Sequence, residues 1–180
     1  GQSPHPLDAD AEVPLSRAFP SGVHVAEVEI DPDTGHSSIA RYLAVDDCGT
    51  ILNHTLVEGQ VHGGLAQGAG QVFGEHGVYD RESGQWLTGS FMDYVMPRAG
   101  QLRGMQMEEY TTLSKLGPLG IKGMGESGCT ASLPALVAAV SNAGGMGCLG
   151  GAGLLPEELR DAIREVRSLT ARPFGVDLII

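Results

Sequence analysis

The sequence predicts an α+β fold on three observations. Up to about residue 131, β-branched runs alternate with turn clusters around one long glycine-rich segment. After that, helix and strand patterns alternate at the spacing of a parallel β–α–β unit. Between the two lies the stretch that organises the chain, residues 120–128, where four glycines enclose a single carboxylate, Glu126. Glycines at that density permit positive φ and close approach of backbone to a ligand.

Bulk properties narrow the function classes. With 180 residues, 42% hydrophobic content and 27 glycines, the chain is globular and rich in turns. A formal charge of −11 argues against a nucleic-acid surface or an anionic membrane surface, both of which need basic patches. No apolar run approaches the length of a membrane span, and no signal-peptide pattern is present, so a reducing cytoplasm is the expected location. The three cysteines, Cys48, Cys129 and Cys148, form no CxxC pair and have no histidine at metal spacing. Neither zinc nor an iron–sulfur cluster is therefore expected within this chain. The first residue is Gly1 rather than methionine, which reads as a cut end.

In chain order, residues 1–21 hold scattered prolines and acids without periodicity and read as an irregular arm or linker. Residues 23–30 and 39–46 read as the two strands of a hairpin turning at Asp31-Pro32-Asp33-Thr34-Gly35. Asp46 and Asp47 open the next turn, where paired acids either bind a cation or solvate a loop. Residues 55–73 read as a helix with Val61, Leu65, Ala69 and Val72 on one stripe and Gln60, Gly64, Gln67 and Gln71 on another. Five glycines in this helix cost about 5 kcal/mol against alanine. Either a second helix or a ligand must then approach its backbone closely. His62 lies off the glutamine stripe and reads as a bystander.

Residues 78–88 suggest a second hairpin carrying Trp86, residues 90–97 a compact apolar segment, and residues 105–110 a strand. Beyond the glycine loop, Ser132 is the expected N-cap of a helix with Pro134 in its first turn, and Leu136, Val137 and Val140 form its apolar face. Asn142-Ala143-Gly144-Gly145 closes it. Residues 146–149 form a short buried strand, and Pro156–Leu169 is an amphipathic helix with charge pairs Glu157/Arg160 and Asp161/Arg164. Residues 174–180 complete the unit as an apolar strand.

Five stretches in order resemble the C-terminal part of the molybdenum-binding large subunit of the xanthine dehydrogenase, aldehyde oxidase and carbon monoxide dehydrogenase family. They are Gly22-Val-His-Val-Ala-Glu-Val-Glu-Ile-Asp-Pro-Asp-Thr-Gly35, Ala44-Val-Asp-Asp-Cys-Gly49, Val57-Glu-Gly-Gln-Val-His-Gly-Gly-Leu-Ala-Gln-Gly68, Gly89-Ser-Phe-Met-Asp-Tyr94 and Lys122-Gly-Met-Gly-Glu-Ser-Gly128. The resemblance implies a molybdopterin cofactor, in its cytosine dinucleotide form, with molybdenum. It also implies a small-molecule substrate such as an aldehyde, an N-heterocycle or carbon monoxide, and iron–sulfur and flavin subunits as partners of the intact enzyme. Glu126 then stands at the family's catalytic glutamate, a base whose strength near neutral pH rises with partial desolvation. Gln60 and Gln67 would contact the pterin, and Gly123 and Gly125 would give the loop its close approach. The sequence departs from the family at His54, where proline is usual after the asparagine, and at residues 111–118, which lack the usual Thr-Asn-Pro.

From about residue 132 the resemblance changes. Pro134-Ala-Leu-Val-Ala-Ala-Val-Ser-Asn-Ala-Gly-Gly-Met-Gly147, Pro156-Glu-Glu-Leu-Arg160 and Arg172-Pro-Phe-Gly-Val176 look like the opening of a nitronate monooxygenase, a flavin (FMN) TIM barrel. Pro118-Leu-Gly-Ile-Lys-Gly-Met-Gly125 also passes for that family's first strand, and Asp177 falls at a position near its flavin. The expected organisation is thus an arm (1–21), a fragment of a molybdopterin-binding domain (22–131) and a partial, TIM-barrel-like βαβ segment (132–180). The expected activity is molybdopterin-dependent hydroxylation, absent from this chain alone. A nitronate monooxygenase fragment and a non-catalytic interaction domain are the alternatives.

Overall fold

The computed structural model describes residues 18–150 and 155–177. Strands β1 (Ser21–Ile30) and β2 (Ser37–Asp47) pair antiparallel, as their alternation and the intervening turn predict. The turn closes as an Asx turn: the Asp31 carboxylate accepts the N–H groups of Asp33 at 2.8 Å and Thr34 at 3.2 Å, and Gly35 takes a φ of 72°. A register shift after Glu27 twists the pair. Strand β3 (Met105–Glu109) joins the far edge of β2 in parallel, with Tyr42 opposite Met105 and Asp46 opposite Glu109.

Between β2 and β3 the chain forms helix α1 (His54–Phe73), whose first turn is capped by Asn53 Oδ1 accepting the Leu56 N–H. The Val61–Leu65–Ala69 stripe is buried against Ile39, Tyr42 and Ala44 of β2 and Leu136 of helix α2 (Ser127–Asn142). Residues 78–88 make a narrower hairpin than expected, with a single bridge between Tyr79 and Trp86. The apolar segment at 90–97 folds as turns that leave Phe91 and Met92 exposed.

Helix α2 starts six residues earlier than its sequence pattern indicates, with Glu126 and not Ser132 at the N-cap position. Ser132 is not its N-cap: it is fully buried in the second turn, its hydroxyl donating to the Cys129 carbonyl, and Pro134 lies further inside still. The reason is contact with α1. A Cβ on Gly64 would stand 2.6 Å from the Cys129 nitrogen, and one on Gly128 would stand 2.9 Å from the Val61 carbonyl oxygen. The two helices therefore touch at backbone distance from the first turn of α2, and that packing offsets the missing proline N–H.

Strand β4 (Cys148–Gly150), helix α3 (Pro156–Leu169) and strand β5 (Gly175–Asp177) follow, with β4 and β5 parallel. Val166 of α3 buries against Val137 of α2 and Leu149 of β4, and Leu159, Ile163, Phe174 and Val176 complete this second cluster. The charge pairs Glu157/Arg160 and Asp161/Arg164 form on the outer face of α3. Residues 1–17 of the expected arm (1–21) and the end of the expected last strand, 178–180, lie outside the described residues, and β1 begins at Ser21.

Candidate active site at the glycine loop

The loop that carries Glu126 is fixed to the end of β2. Asp47, which the sequence suggests for a turn, closes β2 with its side chain 9% exposed. Its carboxylate accepts Lys122 Nζ at 2.6 Å, the N–H groups of Gly49 at 2.9 Å and Thr112 at 3.0 Å, and the Thr112 hydroxyl. Lys122 Nζ also donates to Thr112 Oγ1 at 2.8 Å. Burial alone would push the Asp47 carboxyl up; the ammonium and the three other donors outweigh it and hold the carboxyl well below its ordinary range.

Backbone bonds finish the attachment. The Lys122 N–H donates to the Cys48 carbonyl at 2.8 Å, and the Gly120 carbonyl accepts from Thr50 and Ser114. Pro118–Gly120 is one turn of 3₁₀ helix, with φ of 61° at Leu119 and 72° at Gly120. The likeness of residues 118–125 to a barrel's first strand therefore does not translate into a strand here. Left-handed backbone at two consecutive residues turns the chain, and only Ile121 bridges a neighbour, Gly49.

Glu126 is the N-cap residue of α2, and its side chain makes no capping bond. It is exposed, not partly desolvated as the base role led us to expect, because nothing among the described residues covers it. It lines a cleft of about 800 Å³ together with Phe19, Asp46, Met124, Thr130 and Glu165. Among the described residues, three carboxylates and no lysine or arginine line this space. Burial pushes the Glu165 carboxyl up, and burial with the Glu126 charge raises the Cys129 thiol.

Gln60 reaches the same loop: its Nε2 donates to the Gly125 carbonyl at 3.3 Å. Gln67 lies seven residues further along α1, about 10 Å away at helical rise, exposed and not among the residues lining the cleft. The helix glycines divide into three kinds, of which Gly70 stands alone against Glu75 and Pro97. Gly64 and Gly68 face α2, so close helix packing accounts for them, whereas Gly59 and Gly63 have nothing within 4 Å of where a Cβ would stand. Gly125 is equally open, and Gly123 has only the Ala18 carbonyl near by, which its N–H meets at 3.0 Å.

Sequence reasoning missed one group beside the cleft. The His24 side chain, 1% exposed, sits between the Tyr42 hydroxyl at 2.8 Å from Nδ1 and the Asp46 carboxylate at 3.2 Å from Nε2. Burial first, and the Asp46 charge second, drive the Tyr42 phenol far above its ordinary value. Asp46 and Asp47 are thus neither a cation site nor a solvated pair, because each has its own buried cation or histidine. The signal available was positional: alternation along β1 and β2 points His24, Tyr42 and Asp46 to the same face. Among the described residues, no group of three His, Cys, Asp or Glu side chains could hold a metal ion, and no helix is long and apolar enough to cross a membrane.

Comparison with known proteins shows the family. Residues 3–103 match the molybdopterin cofactor-binding domain, and the chain belongs to that family. Residues 112–180 match nitronate monooxygenase. The carbon monoxide dehydrogenase large chain of Hydrogenophaga pseudoflava is 36% identical over 130 residues, 72% of this chain and 16% of the relative. The nicotine 6-hydroxylase large subunit of Paenarthrobacter nicotinovorans is 39% identical over 125 residues, 69% of this chain and 15% of the relative. The crystal structure of quinoline 2-oxidoreductase from Pseudomonas putida 86 superposes with a TM-score of 0.64 at 43% identity, covering 67% of this chain and 15% of that one. The chain therefore spans about one sixth of the length of the relatives it matches, which are large subunits of molybdopterin oxidoreductases.

Proposed function

We propose that this chain carries the catalytic-loop end of a molybdenum hydroxylase large subunit, which oxidatively hydroxylates an aldehyde, an N-heterocycle or carbon monoxide. The observation that carries this reading is the Gln60 amide meeting the Gly125 carbonyl at 3.3 Å, which sets a pterin-suited side chain next to the loop that presents Glu126. The residues fit one end of the cofactor. Gln60 and Gln67 offer amide donors and acceptors to the polar edge of a pterin, and the open backbone at Gly63 and Gly125 admits it closely. Among the described residues the cleft supplies no cation for a phosphate, so the cytosine dinucleotide part would rest on other segments.

When bound, the cofactor supplies the oxygen-transfer and electron-accepting chemistry. The part of this chain is to orient and to move a proton: Gln60 and Gln67 hold the pterin edge, Gly123 and Gly125 let the loop approach, and the Glu126 carboxylate accepts a proton as general base. Desolvation of Glu126 would come from the cofactor and the rest of the subunit. Iron–sulfur and flavin subunits would carry the electrons onward. In this reading the division of the chain falls at about residue 131, and the chain alone is inactive because each pocket holds only some of its walls.

The test uses a complete large subunit into which residues 22–131 are grafted. Glu126→Gln should lower turnover per molybdenum by about 10²–10⁴ with cofactor content near normal. Gln60→Ala should lower bound molybdenum while the loaded fraction turns over at a comparable rate. Turnover within a few-fold of the parent for Glu126→Gln would sink the assignment. A second reading, the opening of a flavin barrel, is favoured by the parallel β4–α3–β5 unit within the nitronate monooxygenase match. An FMN absorbance band in the purified chain would support it.

A further inference from the structure

We propose that the cavity at the start of β2 is a binding site for a small monocyclic aromatic carboxylate, of the size of benzoate. The cavity measures about 180 Å³ and lies between the first residues of β2, the C-terminal end of α1 and the chain from Val95 to Arg103. Ser37 and Asp47 are the two ends of β2, about 30 Å apart at strand rise. The cavity is therefore remote from the Glu126 loop, and its occupation does not depend on the cofactor reading.

Shape selects the ring. Ile39 and Ala69 are buried members of the first core cluster, Phe73 packs on that cluster, and all three line the cavity. Val95, Met96, Pro97 and Leu102 extend the apolar lining. The walls are held together at one end, because a Cβ on Gly74 would stand 2.6 Å from the Val95 carbonyl oxygen. They leave an opening at Gly100, where a Cβ would meet nothing within 4 Å. An apolar cavity of about 150 Å³ accepts benzene, so this one accepts a single six-membered ring and little more.

Charge selects the substituent. The polar lining is His36, Ser37, Ser38, Gln101 and Arg103, and among the described residues no acid lines the cavity. Two carboxylates stand near without lining it: Asp31, within electrostatic reach of His36, and Glu75, which packs against Gly70. Arg41, Arg160 and Arg164 each meet a carboxylate. Arg103 is exposed at the rim and makes neither an ion pair nor a side-chain hydrogen bond among the described residues. Its planar guanidinium is thus available to take a carboxylate through two parallel N–H···O bonds. The Ser38 hydroxyl, exposed on the same rim, is a further donor. A cationic substituent on the ring would face Arg103 with like charge, and a neutral one would forgo the charge-assisted bonds.

The test titrates the full 180-residue protein with benzoate, benzamide and benzamidine, which share a shape and are anionic, neutral and cationic. Heteronuclear NMR at fixed ionic strength follows the binding. Benzoate is expected to bind about tenfold more tightly than the other two, and to shift the amides of Ile39, Ala69 and Phe73. Arg103→Gln, at an exposed position where the thermal melt should match the parent, should lower benzoate affinity about tenfold and leave benzamide unchanged. Gly100→Phe, which covers the opening, should weaken both ligands. Lys115→Gln, at an exposed cation outside the cavity, should change neither. No binding of benzoate at millimolar concentration, equal binding of the three ligands, or benzoate affinity indifferent to Arg103→Gln overturns the proposal. So do benzoate-induced shifts confined to the Glu126 loop.

Discussion

Lys122 and Asp47, with Thr112 bonded to both, decide where the catalytic loop stands. Lys122→Met removes the ammonium from a carboxylate 9% exposed that keeps its Gly49 and Thr112 donors, a change that costs about 1–3 kcal/mol. Urea unfolding of the variant should show it, and Asp47→Leu should cost more than Lys122→Met because it also strands the Gly49 and Thr112 N–H groups. The pH dependence follows from the depressed Asp47 carboxyl. Unfolded, the group titrates near about 3.9; folded, it titrates lower, so between the two values the unfolded chain binds more protons. The stabilisation is present in full above the unfolded value and is lost as pH falls through it towards the folded one. An acid titration of stability should therefore steepen below about pH 4 in the parent and flatten in Asp47→Asn. Asp47 reads as turn chemistry and Lys122 only as the opening of the glycine-loop motif, because a separation of 75 positions hides the contact.

At the scale of elements, α1 is the instructive case. Its cost of about 5 kcal/mol in glycine was legible, as was the demand for something close to its backbone, but not which glycines answered to which neighbour. Backbone contact with α2 claims Gly64 and Gly68, leaving Gly59 and Gly63 open. Gly64→Ala should destabilise by about 1–3 kcal/mol, since the Cys129 nitrogen cannot retreat. Gly63→Ala should stabilise by up to about 1 kcal/mol through helix propensity alone. Thermal melts of the two variants check both signs. The strands of the first hairpin and the amphipathic α3 were read correctly from period and turn chemistry, which are local signals. The start of α2 was misread because Gly128 and Cys129 are poor helix residues whose conformation is imposed by α1, and no local pattern carries that information.

For the whole molecule, α2 is what both clusters share. Leu136 completes the cluster with β2 and α1, and Val137 completes the one with β4 and α3. A cut after Thr130 therefore removes the cover from Val61 and Leu65 and should give a chain without a cooperative melt by circular dichroism. A cut after Gly145 keeps α2 and should melt cooperatively at a lower temperature. A soluble, cooperatively folding 1–130 fragment would show that α2 is an accessory to the first cluster.

The parallel seat of β3 beside β2 carries a consequence for the order in which the chain assembles. The β1–β2 hairpin closes across a turn of six residues, and structures of that kind form in microseconds. The β2–β3 ladder instead joins Tyr42 to Met105, so the loop it closes contains all of α1 and the aromatic hairpin, and its entropy must be met before any of its contacts form. On a ribosome the hairpin and α1 emerge long before β3 exists, and the outer edge of β2 waits unpaired through that interval. Nascent chains halted before residue 105 are thus the species most prone to pair with one another, and the late arrival of five residues is what ends that exposure.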